Sequence, residues 1–274
     1  MRRSEAWAGW PAMPAVLVIV LLFGGGVVEA VTQSLTGEAW REVTSSPEFL
    51  PSFFLTWRLA LVTTLTATLA GTALALALRH HAARGGKVAG ALVQIPLAVP
   101  HLVVAIGALL LLSQSGLVAR LIGAVGLDAT LPALVNDEWG VGITLAYVWK
   151  EAPFVAVLVL SSLRGETRQL EQLARNLGAT RWRVFRDVTL PALVPAASFA
   201  ALLAFSFTLG SFEVPRLLGR TWPAMLGVWS WQLYTDVDLS RRPHSMVVSL
   251  VIVASVLVPA LAGLLWRAWR KRNA

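Results

Sequence analysis

The sequence predicts an all-α integral membrane protein with six transmembrane helices and both termini on the cytoplasmic side. Three observations carry that prediction. First, 56% of the 274 residues are hydrophobic and only 14% are charged, where a soluble domain carries about 25% charged residues. Second, the apolar residues fall into six runs of the roughly 20 residues that a spanning helix needs, at about 12–32, 54–78, 88–112, 139–163, 191–214 and 246–267. Third, Lys and Arg alternate between the connections, which orients the chain. The runs show no two-residue alternation, so a β-barrel is excluded. A net charge of +8 might suggest a nucleic-acid partner, but the chain lacks the charged residues to build such a surface. There is no cysteine, which removes disulfides, thiolate metal sites and a cysteine nucleophile.

The first run follows Arg2 and Arg3. Val28-Glu29-Ala30 loosely resembles a signal cleavage site, but the run is longer than a signal core and holds Gly24-Gly25-Gly26 within it; we expect a retained span. With the N-terminus inside, the inner segments hold fifteen Lys/Arg and the outer segments six, as the positive-inside rule requires. Arg58 and Lys150 are the two basic residues inside spans. Trp7, Trp10, Trp57, Trp139, Trp266 and Trp269 fall near span ends, where indoles anchor at the interface. We find no internal repeat and no linker, and read residues 1–274 as one domain. On the outer side, the apolar stretch Trp222–Tyr234 is too short to span and is expected to form a short helix lying along the membrane. Asp236, Asp238, Arg241 and Arg242 beside it suit a solvated turn or a partner contact.

The inner connection 164–190 is long, polar and patterned. Leu170, Leu173, Ala174 and Leu177 fall on one face of a helix that includes Glu171 and Gln172, by the i, i+3, i+4 rule. Gly178 is placed to stop that helix with a positive φ. Thr180 can cap a second helix, whose Trp182, Phe185 and Val188 form another stripe, and Pro191 opens the next span. The result is a protruding knob with an apolar face and a basic rim. On pattern alone it could equally lie on anionic lipid.

The run Glu171-Gln-Leu-Ala-Arg-Asn-Leu-Gly178-Ala-Thr-Arg-Trp-Arg-Val-Phe-Arg-Asp-Val188-Thr-Leu190-Pro191 resembles the EAA loop of permease subunits of binding-protein-dependent ABC importers. That pattern reads Glu-Ala-Ala, three residues, Gly, nine residues, an aliphatic, one residue, Leu-Pro. Ala174, Gly178, Val188, Leu190 and Pro191 fall at the matching spacings. Two positions depart: Gln172 stands for Glu, with Glu171 one step earlier, and Leu173 stands for Ala. Pro96-Leu-Ala-Val-Pro100-His101, Trp149-Lys150-Glu151-Ala-Pro153-Phe154 and Gly210-Ser-Phe-Glu213-Val-Pro215 through Gly219 are similar to signatures of the polyamine, iron, thiamine and phosphonate group of these permeases.

The resemblance implies a type I ABC importer permease fold in a bacterial cytoplasmic membrane. It also implies its partners: an ATP-binding subunit, a second permease (an unequal pair being favoured by the departures at Gln172 and Leu173), a periplasmic or lipid-anchored solute-binding protein, and the bilayer, with no nucleic acid. No G-x-x-x-x-G-K-[ST] run occurs, and Gly85-Gly86-Lys87 reads as a basic turn. ATP hydrolysis then belongs to the partner, and we expect no catalytic residue, cofactor or metal in this chain. The knob would insert into the ATPase through Leu173, Leu177, Trp182 and Phe185, with Arg175, Arg181 and Arg183 steering.

Charges inside spans are the remaining clue. Lys150 and Glu151 sit midway along the fourth span and together require roughly 5–7 kcal/mol of compensation. Adjacent on a helix, they point about 100° apart. They can pack as an ion pair with Arg58 or His101, or line the path. His101 follows Pro100, which frees the carbonyl four residues earlier, and Glu213 lies beside a Gly210/Pro215 break that could open backbone to a cavity. His101, Lys150, Glu151 and Glu213 are therefore the candidates for the path or its gate. They also define the alternative, a self-contained secondary transporter with Lys150, Glu151 and His101 as a proton relay. Six spans without an inverted repeat argue against that. Four histidines (80, 81, 101, 244) without ligand spacing, and no G-x-S-x-G, argue against an intramembrane enzyme.

Overall fold

The computed structural model describes residues 13–34, 37–82, 87–126 and 133–272; these are predominantly helical and contain no strand. Six segments are long and apolar enough to cross a membrane: Met13–Ser34, Phe49–Arg79, His101–Ala124, Val141–Ser162, Arg181–Leu209 and Leu239–Leu261. The first, α1 (Met13–Ser34), runs unbroken through Val28–Ala30. None of its apolar window is buried within the chain, as suits a helix set against lipid. The short α2 (Gly37–Ser45) buries Ala39 and Val43 in a cluster with Val247 and Val248 of the last span. The Gly85-Gly86 turn, Arg2, Arg3, Trp7 and Trp10 lie outside the described residues.

The centre of the bundle is the pair α3 (Phe49–Ala82) and α7 (Val141–Ser162). They close at Gly71, where a Cβ would overlap the carbonyl oxygen of Ala152 and the side chain of Val155. Small residues at such crossings let membrane helices pack backbone to backbone. One apolar cluster gathers Leu59, Ile143, Tyr147, Val214 and Leu218, and a second gathers Ala75, Val155, Val159, Leu193 and Ala200. At 34 residues, α3 is about 51 Å long against a hydrocarbon core of about 30 Å. It therefore extends past the core, and Arg79 lies in its last turn.

The third expected span, 88–112, is two helices: α4 (Lys87–Ala98) and α5 (His101–Leu112). Pro100 has no N–H to give the Pro96 carbonyl, so one helix stops there and another starts. The amide of Val104 donates back to the Pro100 carbonyl at 3.1 Å. After a turn, α5 is followed by α6 (Leu117–Ala124). The segment long and apolar enough to cross thus runs from His101 to Ala124, past residue 112.

The fifth crossing also begins earlier than expected. Within the connection, α8 (Glu166–Asn176) is followed by α9 (Arg181–Val184), a π-helical turn (Phe185–Thr189) and α10 (Leu190–Leu209), the last three without interruption. Beyond α10 the chain breaks at 210–212 and resumes as α11 (Glu213–Leu218). The expected short outer helix is present as α12 (Leu226–Tyr234), starting at Leu226 rather than Trp222. The Leu226 amide donates to Thr56 Oγ1 of α3 at 2.8 Å. Ser230 meets the hydroxyls of Ser245 and Ser249 at 3.0 and 2.9 Å, tying α12 to α13 (Arg242–Arg272).

Candidate functional site

The connection after α7 folds as its sequence implies. Gly178 ends α8 with φ 85°, a conformation that glycine adopts without strain. Its amide donates to Arg175 O at 2.9 Å while the Ala179 amide donates to Ala174 O at 3.0 Å, the paired bonds of a Schellman stop. Thr180 Oγ1 then accepts from the Arg183 amide at 3.3 Å and caps α9. The rings of Trp182 and Phe185 stack at 5.7 Å.

The burial of this segment is inverted. Leu170, Leu173, Leu177 and Trp182 are exposed, Leu177 at 79%, and Leu190 and Pro191 also face outward. Ala174 is half-buried. An open apolar groove runs between Leu170, Leu173 and Leu177 on one side and Val188 of the π-helical turn and Pro191 of α10 on the other. The one buried residue of α8 is the carboxylate Glu171. One of its oxygens pairs with the Arg79 guanidinium, and the other accepts from Thr189 Oγ1 at 2.5 Å. Gln172, at the EAA glutamate position, is exposed. Arg183 and Arg186 face Asp187 at 3.9 and 2.7 Å, exposed contacts of small energetic weight.

Inside the bundle, Lys150 Nζ donates to the carbonyls of Pro96 at 2.8 Å, Leu97 at 3.1 Å and Val99. An ammonium has three donors, and all three go to the proline break. The carbonyl freed by Pro100 is thereby satisfied from α7. Lys150 is not half of an ion pair across the bundle. Arg58 is not the partner of Glu151: Arg58 Nη2 donates to the Glu138 carbonyl at 3.0 Å, and the guanidinium lies 5.2 Å from the Trp139 ring centroid.

Glu151 has the His101 ring as its neighbour, Nε2 to Oε1 at 3.7 Å, beyond hydrogen-bond length. His101 stacks on Phe207 at 4.3 Å, and Tyr147 meets Phe207 edge-on at 6.2 Å. The Tyr147 hydroxyl is fully buried, with Ser211 as its polar neighbour. Glu213 opens α11 and is exposed. Thus His101 and Glu151 come together, Glu213 lies across the 210–212 break within electrostatic reach of His101 and Tyr147, and Lys150 serves another element.

Residues 67–271 match the profile of the family described as binding-protein-dependent transport system inner membrane component. The chain belongs to this family. It is 33% identical over 211 residues to a probable molybdenum ABC transporter permease protein of Haloferax volcanii, covering 76% of this chain and 73% of that one. It is 26% identical to the sulfate transport system permease protein CysT of Escherichia coli, covering 89% and 85%. The inner membrane ABC transporter permease protein YnjC of Escherichia coli is 28% identical over 95% of this chain, which spans only 49% of its length. The fold is shared with a chain in the crystal structure of a bacterial alginate ABC transporter in complex with an alginate pentasaccharide-bound periplasmic protein, with a TM-score of 0.77, 21% identity, and 93% and 92% of the two chains covered.

At the opposite end of the permease from α8, the charged residues are largely engaged with one another. Arg241 Nη1 lies 3.3 Å from Asp236 Oδ2, and Asp238 caps the Ser240 amide at 3.0 Å. Hydrogen bonding from Ser240 holds the Asp238 carboxyl below its usual range. His244 meets Glu42 of α2 at 2.5 Å. Sequence reasoning missed Arg79 and Thr189, and also Tyr147 and Phe207. Arg79 had served only as an orientation charge, although an arginine ending a span below a loop carboxylate was the available signal.

Proposed function

We propose that this permease forms half of the translocation path of an ATP-driven solute importer, with both termini in the cytoplasm. It couples to a separate ATPase through residues 171–191 and receives solute from an external binding protein. The observation that carries this reading is the inverted burial of α8. A helix that exposes Leu170, Leu173 and Leu177 while burying Glu171 presents an apolar face that needs a protein partner. Leu173, Leu177, Trp182 and Phe185 dock in the ATPase; Ala174, Gly178, Leu190 and Pro191 shape the knob. A second permease unlike this one completes the path, supported by Gln172 and Leu173 in place of the EAA residues. His101, Glu151 and Glu213 face the path, while Lys150 braces the break beside it. A proton relay through Lys150 loses its support, since the ammonium is saturated by three carbonyls.

For the solute, the relatives named for sulfate and molybdenum favour an inorganic oxyanion. A polyamine is the second reading, favoured by the carboxylates Glu151 and Glu213; Asp236 and Asp238 add little to it, being engaged with Arg241 and Ser240. Titrating the cognate binding protein with sulfate, molybdate and spermidine separates the two. The function itself is tested by purification. A tagged chain retains an ATPase subunit in mild detergent and imports solute in liposomes only with ATP. Recovery alone, with ATP-independent transport, overturns the importer.

A further inference from the structure

Three side chains from three separate elements meet behind the exposed face of α8. Arg79 comes from the last turn of α3, Glu171 from the middle of α8 and Thr189 from the end of the π-helical turn. Glu171 is 4% exposed. Its two oxygens face different elements, so neither contact replaces the other.

We propose that Arg79, Glu171 and Thr189 form a clamp that fastens the coupling knob to α3, so that displacement of α8 moves the second span together with the fourth and fifth. The inference rests on the function proposed above and deepens it. Backbone continuity already joins α8 to α7 on one side and to α10 on the other. α3 packs along α7 and α10 within the bundle, and the Glu171–Arg79 pair joins it directly to α8 through side chains.

The departure from the EAA pattern explains why this chain can build the clamp. A shift of one residue turns a side chain by about 100° around a helix. The carboxylate at 171 therefore faces the bundle, while position 172, on the side open to a partner, holds the neutral Gln172. The charge on this part of α8 belongs to an internal joint, and docking at Gln172 proceeds without one.

The π-helical turn supplies the third member. It is closed by the Leu190 amide donating to the Phe185 carbonyl, five residues back, the wide turn that recurs at functional positions. Thr189 ends it, with Oγ1 shared between Glu171 at 2.5 Å and the Val184 carbonyl at 3.5 Å. The base of α10 is thus held to the same carboxylate that holds α3. A pair of spans and the knob share one buried anchor, the rigid connection that lever-type switching requires.

The test uses the whole transporter, permeases with ATPase and binding protein, in liposomes, with uptake and ATP hydrolysis both measured. Glu171→Gln and Arg79→Met each lower uptake by about tenfold, inside the roughly 5–150-fold range of coupling free energies, while ATP hydrolysis and ATPase co-purification persist. The exchanged pair Arg79→Glu with Glu171→Arg restores uptake to within about threefold of the original, recovering most of that coupling. Uptake within about twofold of the original in both single variants overturns the clamp, since such a change lies below the coupling range. So does loss of ATPase co-purification that the exchange does not restore, which marks a purely structural role. Failure of the unaltered chain to retain an ATPase overturns the proposed function instead, so the two failures are distinguishable.

Discussion

Among the described residues, two glutamates are buried in helices of this permease, and their surroundings differ. Glu171, on the connection, is held by a guanidinium and a hydroxyl from two other elements. Glu151, within the bundle, sits beside Lys150 in sequence, yet that ammonium is turned to the carbonyls of the α4–α5 break. Glu151 is left with a histidine at 3.7 Å. Both sites face the same penalty for burying charge. One meets it with fixed bonds and so can transmit force. The other has only a loose neighbour, with no formed hydrogen bond to hold it. Adjacency in sequence misleads here because helical neighbours diverge by about 100°.

The largest expected effect falls on the lysine. Lys150→Met removes the ammonium donor from the Leu97 and Val99 carbonyls, while Pro96 keeps the Val99 amide, and each buried acceptor left without a donor costs about 1–3 kcal/mol. Thermal unfolding in detergent should fall steeply; an unchanged midpoint would mean that water reaches the proline break. Gly178→Val comes next. A β-branched residue at φ 85° costs roughly 1–2 kcal/mol and should displace the knob. Insertion should be normal and ATP hydrolysis retained, with uptake lost; unchanged uptake would remove the coupling role of this segment. Glu151→Gln should move stability by less than about 1 kcal/mol, because no formed hydrogen bond is lost. A shift as large as that of Glu171→Gln would erase the contrast between the two sites.

Six crossings, the knob, its glycine stop and its threonine cap were legible because they depend on local periodicity and backbone chemistry. So was the stranded carbonyl at Pro96, which follows from Pro100 alone. Its partner was not, since Lys150 reaches it across 54 residues of sequence and nothing local sets that register. The same holds for Arg79 and Glu171, 92 residues apart. The third apolar helix begins later than the hydropathy run because hydropathy does not register the proline break, and of the expected pairings of Lys150 and Glu151 with Arg58 or His101 the Glu151–His101 approach is present while Lys150 turns to backbone carbonyls.

The smallest effect lies at the other end of the permease. Asp238 titrates below its usual range when folded, so it stabilises the Asp238–Arg241 turn above the ordinary carboxylate range. That contribution is lost as pH falls through its lowered value. Amide exchange at Ser240 should quicken on acidification, and Asp238→Asn should abolish that pH dependence. Exchange that is flat with pH in the unaltered chain would contradict the cap.

The absence of native cysteine makes one measurement decisive for coupling. Leu177→Cys, at the most exposed leucine of the knob, just past the end of α8, is labelled with a short bifunctional reagent in the assembled transporter. Leu61→Cys, exposed on α3 within the bundle, serves as the control. A crosslink from position 177 to the ATPase subunit, absent from position 61, is the predicted result. A transporter that imports solute with ATP yet gives no ATPase crosslink at position 177 would contradict docking through this knob.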